Sequence, residues 1–146
     1  MIVSVEAATP NTGLTAAFLV GRVLLAAIFL NSARGHLLQV GPTAQYAGSM
    51  GVPVPRLSTI VTGLMILAGG LSVLLGLYVA VGCLLLVLFL VPVALMMHPF
   101  WKMTDPMSRA IQQAQFMKNL SMAGAALVIC YFTVLHPEDW VYSLRP

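Results

Sequence analysis

Between Leu57 and Met97 the chain carries no charged residue. A membrane helix needs about 20 apolar residues, so this run is about twice the length of one span. It must fold back on itself. The tripeptide Gly76-Leu77-Tyr78 is where the sequence places the turn, since a glycine ends helices well and a tyrosine sits well at the interface. Two further apolar stretches flank the run, which gives four spans at about 14–33, 57–76, 78–98 and 115–135 in one 1–146 domain. Strand-like alternation is absent, and a backbone in lipid must satisfy its own hydrogen bonds. The expected fold is therefore all-α, an integral membrane four-helix bundle.

Composition removes the other classes. Only 8% of residues are charged, against about 25% in soluble domains, so the chain cannot coat a water-exposed surface. A soluble enzyme and a nucleic-acid binder are excluded, and the lipid bilayer is the first partner. The N-terminus shows neither a basic leader region nor a clear cleavage site, so the first span is expected to be retained. Arg34, Arg56, Lys102 and Arg109 fall in the two longer connections, with Lys118 just inside the fourth span, while the opposite side holds only Arg145. Lysine and arginine favour the cytoplasmic side, which puts both termini outside.

Packing faces are sought among small residues four apart, which share a helix face and let backbones approach. Gly13, Ala17 and Gly21, then Ala68, Ser72 and Gly76, then Ser121 and Ala125 fit that pattern. The third span has few such residues and is expected to be the most lipid-exposed; Pro92 should kink it. Trp101, Tyr131, Trp140 and Tyr142 suit the aromatic belts.

Several polar residues stand out against this background. Arg22 lies inside the first span with no acid in any span to pair with it. It would either snorkel to Glu6, Glu138, Asp139 or lipid phosphate, or anchor a ligand headgroup. At the other end of the bundle, Asn31 and His36 close the first span and His98 closes the third. Gln112, Gln115 and Asn119 form a polar stripe opening the fourth. In an antiparallel bundle these groups share a depth. A histidine beside amides could hydrogen-bond a quinone carbonyl, although interfacial polar residues meeting headgroup water give the same pattern. The candidate quinone or lipid-headgroup set is therefore Arg22, Asn31, His36, His98, Gln115 and Asn119, with quinone the one cofactor considered. No catalytic residue and no metal ligand set is read. Met96, Met97, Met103, Met107 and Met117 match no copper spacing, and thioethers are routine apolar fillers. Cys83 and Cys130 should lie at similar depth as small buried side chains or, less commonly, as a dithiol.

Four stretches in order resemble the DoxX family of small four-span membrane proteins. They are GRVLLAAIFLNSARGHL (Gly21–Leu37), YAGSMGVPVP (Tyr46–Pro55), AGGLSVLLGLYVAVG (Ala68–Gly82) and QFMKNLSMAGAALVI (Gln115–Ile129). The resemblance implies a four-helix bundle in a bacterial inner membrane. It also implies a place among membrane subunits of oxidoreductase systems, which include thiosulfate:quinone oxidoreductase. Two positions depart from the family pattern. His36 stands where relatives often carry lysine, and Ile66 stands near where they often carry a second-span glutamate. The expected role is an accessory or anchoring subunit of a membrane oxidoreductase or respiratory complex. The alternatives are a quinone-reactive subunit and a small transporter or lipid-binding bundle.

Overall fold

The computed structural model describes residues 12–136. It contains α1 (Thr12–Leu38), α2 (Val40–Ser49), α3 (Pro55–Leu75), α4 (Val79–Met97) and α5 (Pro106–Leu135), with a 3₁₀ turn at Phe100–Lys102 before α5. Four helices are long and apolar enough to cross a membrane: α1, α3, α4 and α5. The architecture is all-α, without strands among the described residues.

Local chemistry sets the helix ends. Pro55 and Pro106 open α3 and α5, where a missing N–H costs nothing. Asp105 caps α5 by accepting a hydrogen bond from the Ser108 N–H at 2.8 Å. That bond holds the exposed Asp105 carboxyl below its ordinary carboxylate range. The α3–α4 turn falls at Gly76–Tyr78. Gly76 adopts the left-handed conformation at φ 72°, and Tyr78 follows at φ 48°. The N–H groups of Gly76 and Leu77 both donate to the Ser72 carbonyl, at 2.9 and 3.1 Å. The Ser72 hydroxyl donates to the carbonyl of Leu77 at 2.6 Å, with that of Tyr78 at 3.1 Å.

The connection between the first two spans is more helical than its glycines and prolines suggest. α1 runs on to Leu38, and α2 fills most of the rest. α2 buries Ala44 and Ala47 against the neighbouring helices, which gives an otherwise interfacial segment a fixed seat. α5 begins at Pro106, ahead of the expected Gln115, because Asp105 and Pro106 supply a start signal stronger than the onset of apolar residues.

The spans pack in chain order, α1 on α3, α3 on α4 and α4 on α5. Their shared core includes Phe29, Ile66, Val73, Cys83, Leu86 and Leu90. This corrects two expectations. α4 is the most buried of the four spans rather than the most exposed, because it sits between α3 and α5. The packing face of α1 is Arg22, Ala26, Phe29 and Ala33, whereas Gly13, Ala17 and Gly21 are exposed. On α5 the buried face is Asn119, Ala123 and Ala126, and Ser121 and Ala125 point away from it. In lipid the outward face is as apolar as the inward one, so small-residue spacing alone does not mark the seam.

Candidate functional site

Arg22 and the two histidines occupy opposite ends of the fold. Near the α3–α4 turn, Arg22 is buried at 5% exposure. Its Nε donates to the Val73 carbonyl at 3.1 Å and its Nη2 to the Leu74 carbonyl at 2.7 Å. Both carbonyls belong to the last turn of α3, where no following N–H of the same helix is available. The guanidinium therefore caps the negative end of a helix, with the Phe18 ring 5.6 Å away. These two bonds tie α1 to the end of α3, a structural role that the ligand-anchor expectation for Arg22 did not include. Glu6, Glu138 and Asp139 lie outside the described residues. Ile66, where relatives often carry an acid, is fully buried in the core.

At the other end a cavity of about 440 Å³ opens between α1, α2, α3 and α4. His36 and His98 both line it, and Phe89, Pro92, Met96 and Met97 supply much of its apolar wall. Leu88 and Met96 also line the cavity and are exposed, so it opens onto the apolar outer face of α4. The His36 ring is held edge-on to Phe89, centroids 5.7 Å apart. Its Nδ1 lies 3.0 Å from the Thr62 hydroxyl and 3.3 Å from the Thr59 carbonyl. His98 closes α4 and its Nδ1 meets Gln112 Oε1 at 2.8 Å, which ties it to α5. Pro92 withholds the N–H that the Leu88 carbonyl would otherwise accept in the helix.

The other candidates fall elsewhere. Asn31 is exposed on α1, and Lys118 is exposed on α5. Gln115 is half-buried and does not line the cavity. Asn119 is buried, but in the α4–α5 seam, two helical turns past Gln112 and away from the cavity. Helix-face geometry explains this: on one helix only residues near the His98 level reach that level, and Gln112 is the amide that does. Among the described residues no three metal-ligating side chains of the His, Cys, Asp and Glu types come together. Cys83 is buried, and Cys130 packs against the cluster that contains it. The Cys130 thiol donates to the Ala80 carbonyl at 3.8 Å, as small core thiols commonly do.

The cavity residues missed at the sequence level include Thr59, Thr62 and Tyr46. Thr59 and Thr62 sit on α3 facing His36, and a Ser-Thr-x-x-Thr spacing inside an apolar helix was the available signal. Tyr46 comes from α2, a helix the sequence did not announce.

The fold and its cavity thus define a multi-span α-helical membrane protein with a cavity lined in part by two imidazoles at one end of the bundle. The DoxX family model matches residues 17–99, which cover most of α1, all of α2 to α4 and every residue that lines the cavity, and the chain belongs to the DoxX family. It is similar to the inner membrane protein YphA of Escherichia coli (strain K12), 27% identical over 76% of this chain and 79% of that protein. It is also similar to the inner membrane protein YqjF of the same organism, 28% identical over the same shares of the two chains. No solved structure matches the chain.

Proposed function

We propose that this chain is a non-catalytic membrane subunit of a quinone-linked oxidoreductase system, and that its cavity holds the headgroup of a quinone-type amphiphile. One observation carries the reading: an apolar chamber open to lipid has two fixed imidazoles on its wall. Its volume of about 440 Å³ lies within the roughly 300–1,000 Å³ usual for small-molecule sites. A ring headgroup would lie against Phe89 and the methionines while the histidines fix its orientation, and an isoprenoid tail would leave past Leu88 into the bilayer. The amide site expected from Gln115 and Asn119 is not part of this reading; Gln112 takes their place by holding His98.

The neighbouring subunits follow from the family resemblance. The similarity to inner membrane proteins and the clustering of basic residues support a bacterial inner-membrane location with both termini outside and the cavity at the cytoplasmic end. Purification of the tagged chain from its own membranes in mild detergent tests this. Redox subunits at fixed stoichiometry and a quinone in the lipid extract are expected, with the quinone depleted at least tenfold in a folded His36→Ala, His98→Ala double variant. A lone chain whose extract holds only phospholipid would contradict the reading.

A further inference from the structure

We infer that the outward face of α1 seats a membrane helix of another protein, and that this helix carries a carboxylate which Arg34 and Asn31 bind within the bilayer. The inference rests on the subunit reading above for the existence of a partner. It adds which surface the partner meets and what chemistry it brings.

Spacing sets the face. α1 turns Arg22, Ala26, Phe29 and Ala33 into the bundle. On the opposite side Val20, Leu24, Ala27, Asn31, Arg34 and Leu38 recur at steps of four and three, and all six are exposed. Such steps give a mean period of 3.5 residues, that of a seam which accepts one more helix along its length. α1 packs on α3 and more lightly on α2, so this side is uncovered among the described residues.

Depth separates this seam from ordinary lipid-facing surface. A Cβ on Gly70 of α3 would meet Phe29 and Leu30, and one on Gly63 would meet His36 and Leu37. The two helices run antiparallel, so Arg34 comes level with Met65 and Ile66, the middle of α3. The His36 ring faces Phe89, near the middle of α4, which agrees. Past that level α3 still exposes Leu64, Val61 and Leu57, and α4 exposes Leu88, Val91 and Leu95. From Ile66 to Leu57 is about 14 Å at 1.5 Å per residue, farther than an arginine side chain extends. Lys118 differs. The His98–Gln112 and Ala80–Cys130 contacts set it level with Pro92, close enough to the end of α4 to snorkel. Arg34 and Asn31 thus stand exposed at mid-depth, and neither side chain has a partner among the described residues. Charges at such depth are costly and occur where they are paired.

The guanidinium fixes the sign of the partner. Its fork matches a carboxylate, and the Asn31 amide, one turn away on the same face, has N–H groups to give the same oxygens. Ala27, a turn further on, is small and lets a second backbone approach. A second copy of this chain does not fit. Its four acids, Glu6, Asp105, Glu138 and Asp139, fall outside all four spans, and a parallel pair would set Arg34 against Arg34.

The test uses the purified full chain in phosphatidylcholine vesicles. Its probes are membrane-spanning leucine–alanine peptides of about 21 residues with Glu, Lys or Leu at the centre. Association is read by energy transfer between a dye on the chain and a dye on the peptide. The Glu peptide should associate at least tenfold more tightly than the Leu peptide, and the Lys peptide no more tightly than the Leu peptide. Arg34→Leu should erase the Glu preference, Asn31→Leu should reduce it, and Lys118→Leu should leave it intact. Arg34→Glu should transfer the preference to the Lys peptide, a gain that misfolding does not produce. If the Glu and Leu peptides associate alike, or the preference survives Arg34→Leu, the inference is wrong. It is equally wrong if the peptides are indifferent while phosphatidylglycerol added to the vesicles gathers around the parent chain and not around Arg34→Leu, since the arginine then meets lipid phosphate. Co-purification judges the subunit reading separately: redox subunits that remain bound although the Glu preference is absent would leave that reading standing and remove this one.

Discussion

Arg22→Leu is expected to destabilise the protein by about 2–4 kcal/mol, read as the free energy of reversible unfolding in mixed micelles. Hydropathy alone gives the opposite sign, because an arginine in a span costs about 2.5–3.5 kcal/mol on insertion scales and leucine favours lipid. That insertion cost, however, is present in the unfolded but membrane-embedded chain as well, and largely cancels. Folding adds bonds to the Val73 and Leu74 carbonyls. Leucine removes the donor from both of these acceptors at the end of α3, at about 1–2 kcal/mol each. Arg22→Lys should fall between the two, since a single ammonium does not reproduce the fork that reaches two carbonyls. A leucine variant as stable as the parent would mean that these bonds hold nothing together.

Gly82→Leu is expected to cost about 3 kcal/mol in the same assay, as other overpacked cores do. At Gly82 α4 passes against Ser72 so closely that a Cβ there would overlap the serine side chain. That serine cannot swing aside, because its hydroxyl closes the α3–α4 turn. Facing it, a Cβ on Gly69 would lie 2.7 Å from Leu86 and 2.9 Å from the Gly82 carbonyl. The two glycines therefore set how near α3 and α4 approach. Gly21→Leu is the matched control: no atom lies within 4 Å of its Cβ position, and it should leave stability unchanged.

These variants mark what the sequence made legible. Span number and the Gly76–Tyr78 turn follow from apolar length and one left-handed glycine, both local properties. The shared level of His36 and His98 follows from antiparallel helices. Which face of α1 turns inward did not follow, since Gly21 and Ala26 look alike in a segment apolar all round. The Val73 and Leu74 carbonyls that Arg22 reaches were not legible, because they are backbone atoms a sequence does not display. Asn119 was drawn into the site by composition and removed from it by depth. α2 was hidden because Gly41, Pro42, Gly48 and Gly51 read as loop, whereas its burial of Ala44 and Ala47 is tertiary.

The central claim is that an amphiphile headgroup sits between His36 and His98. Photolabelling in native membranes tests it most directly, using a quinone that carries a photoreactive group on its ring and mapping the labelled peptides by mass spectrometry. Adducts are expected to concentrate on the cavity segments of α2 and α4, around Tyr46 and Met96–Met97, and to be competed away by the unlabelled ligand. Adducts spread evenly over the exposed faces of α1 and α5, unaffected by competitor, would show only lipid-like contact and would contradict it.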